Sequence, residues 1–275
     1  MDLSQKLITI FIVSLISLPT SALELKVMSY NIWGRPFPLP RKPARFKKKI
    51  PEALVKTKAD IIGIQEAFTR SSKPLEKMGE YLHFAKFNKR GFLKTGAGLL
   101  TLSKFEIEKT KTMSFSKCAG TDCFAKKGVL FTRLNLGPGL RLDVYNTHLN
   151  AAGKDSIREL QIKETANFIS KNSNLNPVIL IGDMNTHPMQ DNYREFKKLM
   201  SLKDSYANYI SSLPTPTDHQ INGFTNGHKD PRKGKRIDYI FYRGAIELLN
   251  SKVNMDGPKP LSDHYGVIST FRLSN

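Results

Sequence analysis

The chain has 275 residues, of which 40% are hydrophobic, and 43 Lys and Arg against 24 Asp and Glu give it a formal net charge of +19. There is no internal repeat, low-complexity linker or second long apolar run, which argues against a repeat array or a multispan membrane protein and leaves room for one large domain with a substantial core. The charge favours polyanions or anionic membrane surfaces. Its lysines are scattered, with short clusters at Lys47-Lys48-Lys49 and Arg232-Lys233-Gly234-Lys235-Arg236, so charge alone does not separate a nuclease from a lipid hydrolase.

The N-terminus reads as an export signal spanning residues 1–22. Lys6 supplies a positive start, Leu7–Leu18 is almost wholly apolar, Pro19 breaks the run, and Thr20-Ser21-Ala22 suits cleavage after Ala22. The run is short for a membrane anchor, which needs about 20 apolar residues. A secreted or periplasmic protein is therefore expected, with residues 23–275 forming a single catalytic domain.

Leu25–Asn31 is the first expected strand and ends at Asn31. After a Pro-rich loop, Arg35–Pro43, a helix is expected over Arg45–Thr57, with Phe46, Ile50, Ala53 and Leu54 on one side and lysines opposite. Ile61–Gln65 is a continuous apolar run, as in a strand buried on both faces, and it runs into Glu66. Gly98–Leu102 is the next strand. Cys118 and Cys123 lie five positions apart in a loop and could form one disulfide outside the cytoplasm; two thiols with no neighbouring ligand pair do not suggest a zinc centre.

Val129–Asn135 and Leu140–Thr147 are close enough to pair antiparallel, and the second ends at His148 with Asn150 just beyond. A helix follows over Asp155–Lys171, opening on Asp155-Ser156 as candidate caps. Val178–Gly182 ends at Asp183 and Asn185, and Tyr193–Met200 forms a shorter helix. Beyond a long polar loop, Leu213–Arg236, in which Thr225 follows Phe224 and is a candidate for holding the site, the strand Ile237–Tyr242 contains Asp238. A last loop, Asn254–Asp263, delivers Asp263-His264 to the final strand, Gly266–Arg272. The mixture is α/β, and a sandwich of mixed sheets flanked by helices fits better than a purely parallel doubly wound sheet.

Each polar residue has an ordinary explanation in isolation: Asn31 as a turn residue, Glu66 as a helix-start charge, His148 as a hydrogen-bonded core histidine. Six such junctions in one chain point to a joint site. Hydrolysis of a phosphodiester needs an activated water, neutralised phosphoryl oxygens and a stabilised leaving oxygen. Mg²⁺ takes oxygen ligands from one or two carboxylates, a task suited to Glu66 with the amide oxygen of Asn31. His264, oriented by an aspartate, is the candidate base. His148 would steady the phosphoryl oxygens or the leaving group, Asn185 would donate to a phosphate oxygen, and Asp183 would hold a second metal or a histidine.

The motifs Ser29-Tyr30-Asn31-Ile32-Trp33-Gly34, Gly63-Ile64-Gln65-Glu66, Asn146-Thr147-His148-Leu149-Asn150, Gly182-Asp183-Met184-Asn185, Arg236-Ile237-Asp238-Tyr239 and Ser262-Asp263-His264 resemble those of the endonuclease/exonuclease/phosphatase superfamily, the group with the deoxyribonuclease I fold. Within it the chain is most similar to the neutral sphingomyelinases, through Asn31-Ile32-Trp33-Gly34, the Asp122-x4-Lys127-Gly128 spacing and the His148 segment. The resemblance implies a four-layer α/β sandwich of two mixed β-sheets flanked by helices. It also implies dependence on Mg²⁺, with Mn²⁺ or Co²⁺ as alternatives, and release of phosphocholine from sphingomyelin at a phospholipid surface by a monomer. Nucleic acid is the alternative substrate, as for a secreted endonuclease.

By the same resemblance His264, His148, Asp238, Asn185, Asp263 and Lys127 would be catalytic, Glu66, Asn31, Asp183 and Asp263 would hold metal, and Asn150, Asp122 and Lys127 would meet the substrate. Secreted bacterial sphingomyelinases often carry a long aromatic hairpin that enters bilayers, whereas the interval Arg243–Ser262 has no Trp or Phe. Trp33, Phe37 and Leu39 either substitute for that hairpin or pack against the sandwich.

Overall fold

The computed structural model describes residues 22–35, 44–89, 94–227 and 234–274. Nearly all of the expected leader, together with Phe37, Leu39 and His228, lies outside the described residues.

The apolar runs become the central strands of two six-stranded sheets. The first sheet has strands β1 (Leu23–Asn31), β2 (Ile61–Gln65), β3 (His83–Phe87), β4 (Leu99–Ser103), β11 (Glu247–Asn254) and β12 (Gly266–Leu273), in the order β11-β12-β1-β2-β4-β3. The second has β5 (Glu106–Ser114), β6 (Gly128–Gly137), β7 (Leu140–His148), β8 (Val178–Asp183), β9 (Lys203–Asp204) and β10 (Asp238–Arg243), in the order β5-β6-β7-β8-β10-β9. Each sheet is mixed: β1 runs parallel to β2 and β7 parallel to β8, and the other pairings are antiparallel.

Helices cover the outer faces. α1 (Ala44–Lys47) and α2 (Lys49–Lys56) bring Phe46, Ile50 and Leu54 onto Met28, Tyr30, Ile62 and Ile64 of the first sheet. α3 (Asp155–Asn172) and α4 (Asp191–Met200) set Ile162, Ile169, Tyr193 and Phe196 on Phe131, Tyr145, Leu180 and Phe241 of the second. Between the sheets lies a third apolar layer, built from Leu25, Val27, Ile61, Val144, Ile179, Ile181, Ile240 and Phe271. Successive strand residues point to opposite faces, so a strand with apolar layers on both sides must be apolar at every position. Two further short helices, α5 (Ser205–Ser211) and α6 (Asp218–Asn222), follow β9. The four-layer architecture is the expected one. Among the described residues no helix is long and apolar enough to cross a membrane.

The expected helices differ from the observed ones in two places. The helix expected over Arg45–Thr57 is broken at Lys48, whose φ of −140° is not helical. At the start of α3, Asp155 pairs with Arg158 rather than capping, and Lys154 takes the N-cap position without a side-chain hydrogen bond.

The sheets approach closely behind the strand ends. A Cβ on Gly63 would lie 2.0 Å from Cδ1 of Ile181, so glycine lets the second sheet close onto β2. Beside it, Gln65 Nε2 donates to Asn146 Oδ1 at 2.9 Å, and Asn146 Nδ2 donates to the carbonyls of Ile64 and Leu100, both at 3.1 Å. A second buried polar group anchors the segment entering β10. Arg236 is paired with Asp204 at 2.7 Å and lies against the rings of Tyr193, Tyr206 and Tyr239.

Candidate active site

The ends of β1, β2, β7 and β8, the start of β10 and the loop before β12 converge. Asn31, the last residue of β1, donates through Nδ2 to Glu66 Oε1 at 3.3 Å and to Asp183 Oδ2 at 3.0 Å. It thereby joins a carboxylate of the first sheet to one of the second. Its Oδ1 accepts from the backbone N–H of Trp33, so the amide oxygen expected to face a metal is turned the other way, and the amide holds the two carboxylates together. Glu66 has φ +60° and Asn185 φ +47°. Left-handed backbone at non-glycine residues is costly and gathers at functional sites. Gly34 gives Glu66 room, since a Cβ there would lie 2.2 Å from the Glu66 carbonyl oxygen.

Asp238 and His264 form the second unit, with His264 Nδ1 2.8 Å from Asp238 Oδ2 and Nε2 3.7 Å from Asp183 Oδ2. The aspartate that orients His264 is thus Asp238. Burial disfavours the imidazolium, but Asp238, then Asp183, outweigh it and push the His264 pKa up to about 10. Burial, reinforced by Asp238, lifts Asp183 to about 7, against the pull of His264 and Lys127. Burial likewise raises Glu66, opposed by His264 and Lys127.

The third unit is His148 with Lys127. The Lys127 ammonium makes three contacts: Asp122 Oδ1 at 2.8 Å, the Leu149 carbonyl at 2.9 Å and His148 Nε2 at 3.0 Å. Burial first, then Lys127 and His264, hold His148 well below its ordinary pKa. His148 is therefore neutral, and its 3.4 Å approach to Asp183 is not an ion pair. Asp122 Oδ2 also accepts from the backbone N–H groups of Ala151 and Ala152. The short 3-10 turn carrying Asp122, Gly120–Phe124, is closed by the Cys118–Cys123 disulfide.

Some expected residues have other occupations. Asn150 is fully buried. Its Oδ1 accepts from Ala119 N–H, and its Nδ2 donates to the Ala119 and Ala152 carbonyls. This replaces the expectation of substrate contact: its amide is spent on the backbone of Ala119 and Ala152. Asp263 pairs with Arg35 at 3.3 Å and is not part of the close cluster of Asp183, Asp238 and His264. Asn185 uses one amide hydrogen on the Leu149 carbonyl and its backbone N–H on Asp183 Oδ1. Trp33 lies against the guanidinium groups of Arg35 and Arg45.

Two further residues fasten the site. Ser262 Oγ donates to the Asn31 carbonyl at 2.7 Å and accepts from His264 N–H, tying the His264 loop to β1. Fully buried Thr225, which the sequence placed in a polar loop, accepts through Oγ1 from the N–H groups of Ile237 and Asp238, both at 3.1 Å, and its carbonyl takes Tyr265 N–H. Thr225→Val is expected to leave two buried amides unpaired, at about 1–3 kcal/mol each, and to lower turnover by about tenfold or more through misplacement of Asp238. Thr225→Ser should retain both properties. Urea unfolding and steady-state turnover of the two variants check this.

The donor set fits a divalent cation. Glu66 Oε2 and Asp238 Oδ1 are buried without a hydrogen-bond partner, which is costly for carboxylate oxygens unless a cation meets them. Asp183, Asp238 and His264 place ligand atoms within 4.8 Å of one another.

The chain is 29% identical over 277 residues to a Drosophila melanogaster relative, covering 91% of this chain and 61% of the relative. It is 27% identical over 185 residues to a sphingomyelinase of Mycobacterium bovis, covering 63% of this chain and 36% of that protein. The chain thus spans less than two thirds of the length of each of these relatives. The crystal structure of a doubly substituted Staphylococcus aureus beta toxin with bound magnesium ions superposes with a TM-score of 0.71 at 19% identity, over 90% of this chain and 99% of that one. The profile of the Endonuclease/Exonuclease/phosphatase family matches residues 28–264, a span that opens on β1 and closes on His264, and by that match the chain belongs to this family.

Proposed function

We propose that the protein is an exported Mg²⁺-dependent phosphodiesterase that hydrolyses sphingomyelin, or a related choline- or ethanolamine-bearing phospholipid, to ceramide or its lipid equivalent and the phosphorylated head group. The observation that carries the reading is the junction of Asn31, Glu66 and Asp183 beside the Asp238–His264 pair. It is supported by the mycobacterial relative described as a sphingomyelinase and by the magnesium named for the staphylococcal structure. Export rests on the basic-apolar-small pattern of residues 1–22.

Glu66 and Asp183 would hold the cation, which when bound neutralises the phosphoryl oxygens and the buried carboxylates. With that charge in place, Asp183 and Asp238 would pull less strongly on the His264 proton, leaving Nε2 available as a base. Asp238 keeps the Nδ1 proton in place. His264 then takes a proton from water as the water oxygen bonds to phosphorus, and the bond from phosphorus to the lipid oxygen breaks. The leaving oxygen acquires a proton, so one water is consumed and two products form. His148 and Lys127 present a neutral ring and a fixed positive charge where the phosphoryl oxygens gain charge.

The net charge of +19 favours a second reading, a secreted nuclease. Product analysis on a panel of phospholipids and plasmid DNA separates the two. Release of phosphocholine from sphingomyelin with Mg²⁺, abolished by EDTA, is the expected result. Plasmid nicking without phosphocholine release would overturn the lipid reading.

A further inference from the structure

Beside the catalytic lysine is a feature that phosphodiester hydrolysis does not use. Three segments are stitched together there by backbone hydrogen bonds: Thr95 N–H to the Phe124 carbonyl, Lys126 N–H to the Thr95 carbonyl, and Phe115 N–H to the Lys127 carbonyl. They enclose an open cavity of about 310 Å³ lined in part by Lys94, Lys117, Lys126 and the stem of Lys127. The Lys127 ammonium is committed to Asp122, His148 and Leu149. The side-chain ammonium groups of the other three have no ion-pair or hydrogen-bond partner among the described residues, and the carboxylate of Glu164 accepts from the backbone N–H of Ser116.

Phe124 stands in the same place, 68% exposed, at the end of the turn closed by the Cys118–Cys123 disulfide. A single exposed Phe is ordinary. One held on a cross-linked turn, two residues from Asp122 and next to a cavity lined by three lysines without an ion-pair partner among the described residues, is a different object. Aromatic rings favour the boundary between water and acyl chains, and basic residues near an anionic leaflet bind it electrostatically. A turn already fixed in shape loses little entropy on docking.

We infer that the Phe124 turn with Lys94, Lys117 and Lys126 is the membrane-docking surface, and that it takes an anionic lipid bilayer with Phe124 entering the headgroup layer. This rests on the lipid reading of the site, since it sets the Lys127 side of the active centre against the bilayer. It differs from the alternative that the loop around Trp33 engages the membrane. Trp33 is flanked by two arginines within the fold, whereas the Phe124 ring is open to its surroundings.

The test is co-sedimentation of the full chain, carrying His264→Ala to prevent turnover, with vesicles of phosphatidylcholine alone or mixed with phosphatidylserine. Tight, salt-sensitive binding is expected only with phosphatidylserine. Each lysine near an anionic surface contributes about fivefold, so the triple variant Lys94→Gln, Lys117→Gln, Lys126→Gln should bind about a hundredfold more weakly. Phe124→Ser should weaken binding to a degree that added salt does not remove.

A second triple variant, Lys109→Gln, Lys171→Gln, Lys198→Gln, removes the same charge elsewhere and should keep most of the binding. Equal loss in both triples would overturn the inference in favour of net charge alone. Loss of duplex DNA binding with unchanged vesicle binding would overturn it in favour of nucleic acid. Turnover of a soluble phosphodiester by the Lys94/Lys117/Lys126 triple and by Phe124→Ser, each with His264 intact, should match the parent, which shows that they fold. The docking result is read without catalysis. Vesicle binding lost only in the first triple, in a protein that releases no phosphocholine, would therefore sink the proposed substrate and leave the docking surface standing.

Discussion

Replacing His264 by alanine is expected to lower turnover by about 10²–10⁴-fold, the usual worth of a positioned acid or base, with little change in the Mg²⁺ concentration that gives half-maximal activity. Its Nδ1 is held by Asp238 at 2.8 Å, and its Nε2 faces Asp183 at 3.7 Å. In the protein alone those carboxylates push its pKa up to about 10, so the ring carries a proton below that pH. The base becomes available as the carboxylates are neutralised, and turnover should rise with pH through a transition that moves lower as Mg²⁺ increases. A group with a raised folded pKa stabilises the fold below its unfolded value and loses that contribution as pH rises through the folded one. The metal-free protein should therefore lose stability toward pH 10, and this loss should be absent in His264→Ala. Urea unfolding across pH with EDTA, beside turnover at fixed Mg²⁺, checks both statements.

Glu66→Ala is expected to lower activity by about a thousandfold at limiting Mg²⁺, in line with the several kcal/mol that a bound metal contributes to stabilising phosphoryl charge. Excess Mg²⁺ should restore part of it. The expectation comes from Glu66 Oε2, a buried carboxylate oxygen without a hydrogen-bond partner, and from Oε1, which meets only the Asn31 amide. Removing the side chain deletes a ligand while leaving Asp238–His264 intact. Titration of activity against Mg²⁺ separates the two variants: His264→Ala should remain depressed at saturation while Glu66→Ala recovers. Equal recovery of both would abolish the division between ligand and base.

The central strands were readable from the chain because each is buried on two faces, so Ile61–Gln65 and Val178–Asp183 are apolar almost throughout. The four strands that periodicity did not reveal, β3, β5, β9 and β11, are the four sheet edges. β5, with the sequence EIEKTKTMS, is exposed along most of its length, and β9 has only two residues. Their pairing is supplied by a neighbour, and edge strands commonly carry charge. The site was visible where an apolar run stopped abruptly at Glu66, His148 or Asp183. It was not visible where a polar side chain near those residues serves the backbone, as Asn150 does. Nor was it visible where the partner lies far along the chain, as in the Arg35–Asp263 pair.

The pair of side-chain amides behind the site, Gln65 and Asn146, has a consequence for how the protein keeps its chemistry in order. Asn31 and Glu66 ride on one sheet, His148 and Asp183 on the other, like the two jaws of a caliper. The oily layer between the jaws resists separation but carries little directional preference, and a slip of one residue would displace one jaw by about 3.3 Å. The amide bonds from Asn146 to Gln65, Ile64 and Leu100 are directional and admit only one alignment. The caliper is therefore zeroed by a polar latch within the fold, and damage to that latch would spoil the spacing of the jaws while the sandwich itself still stood.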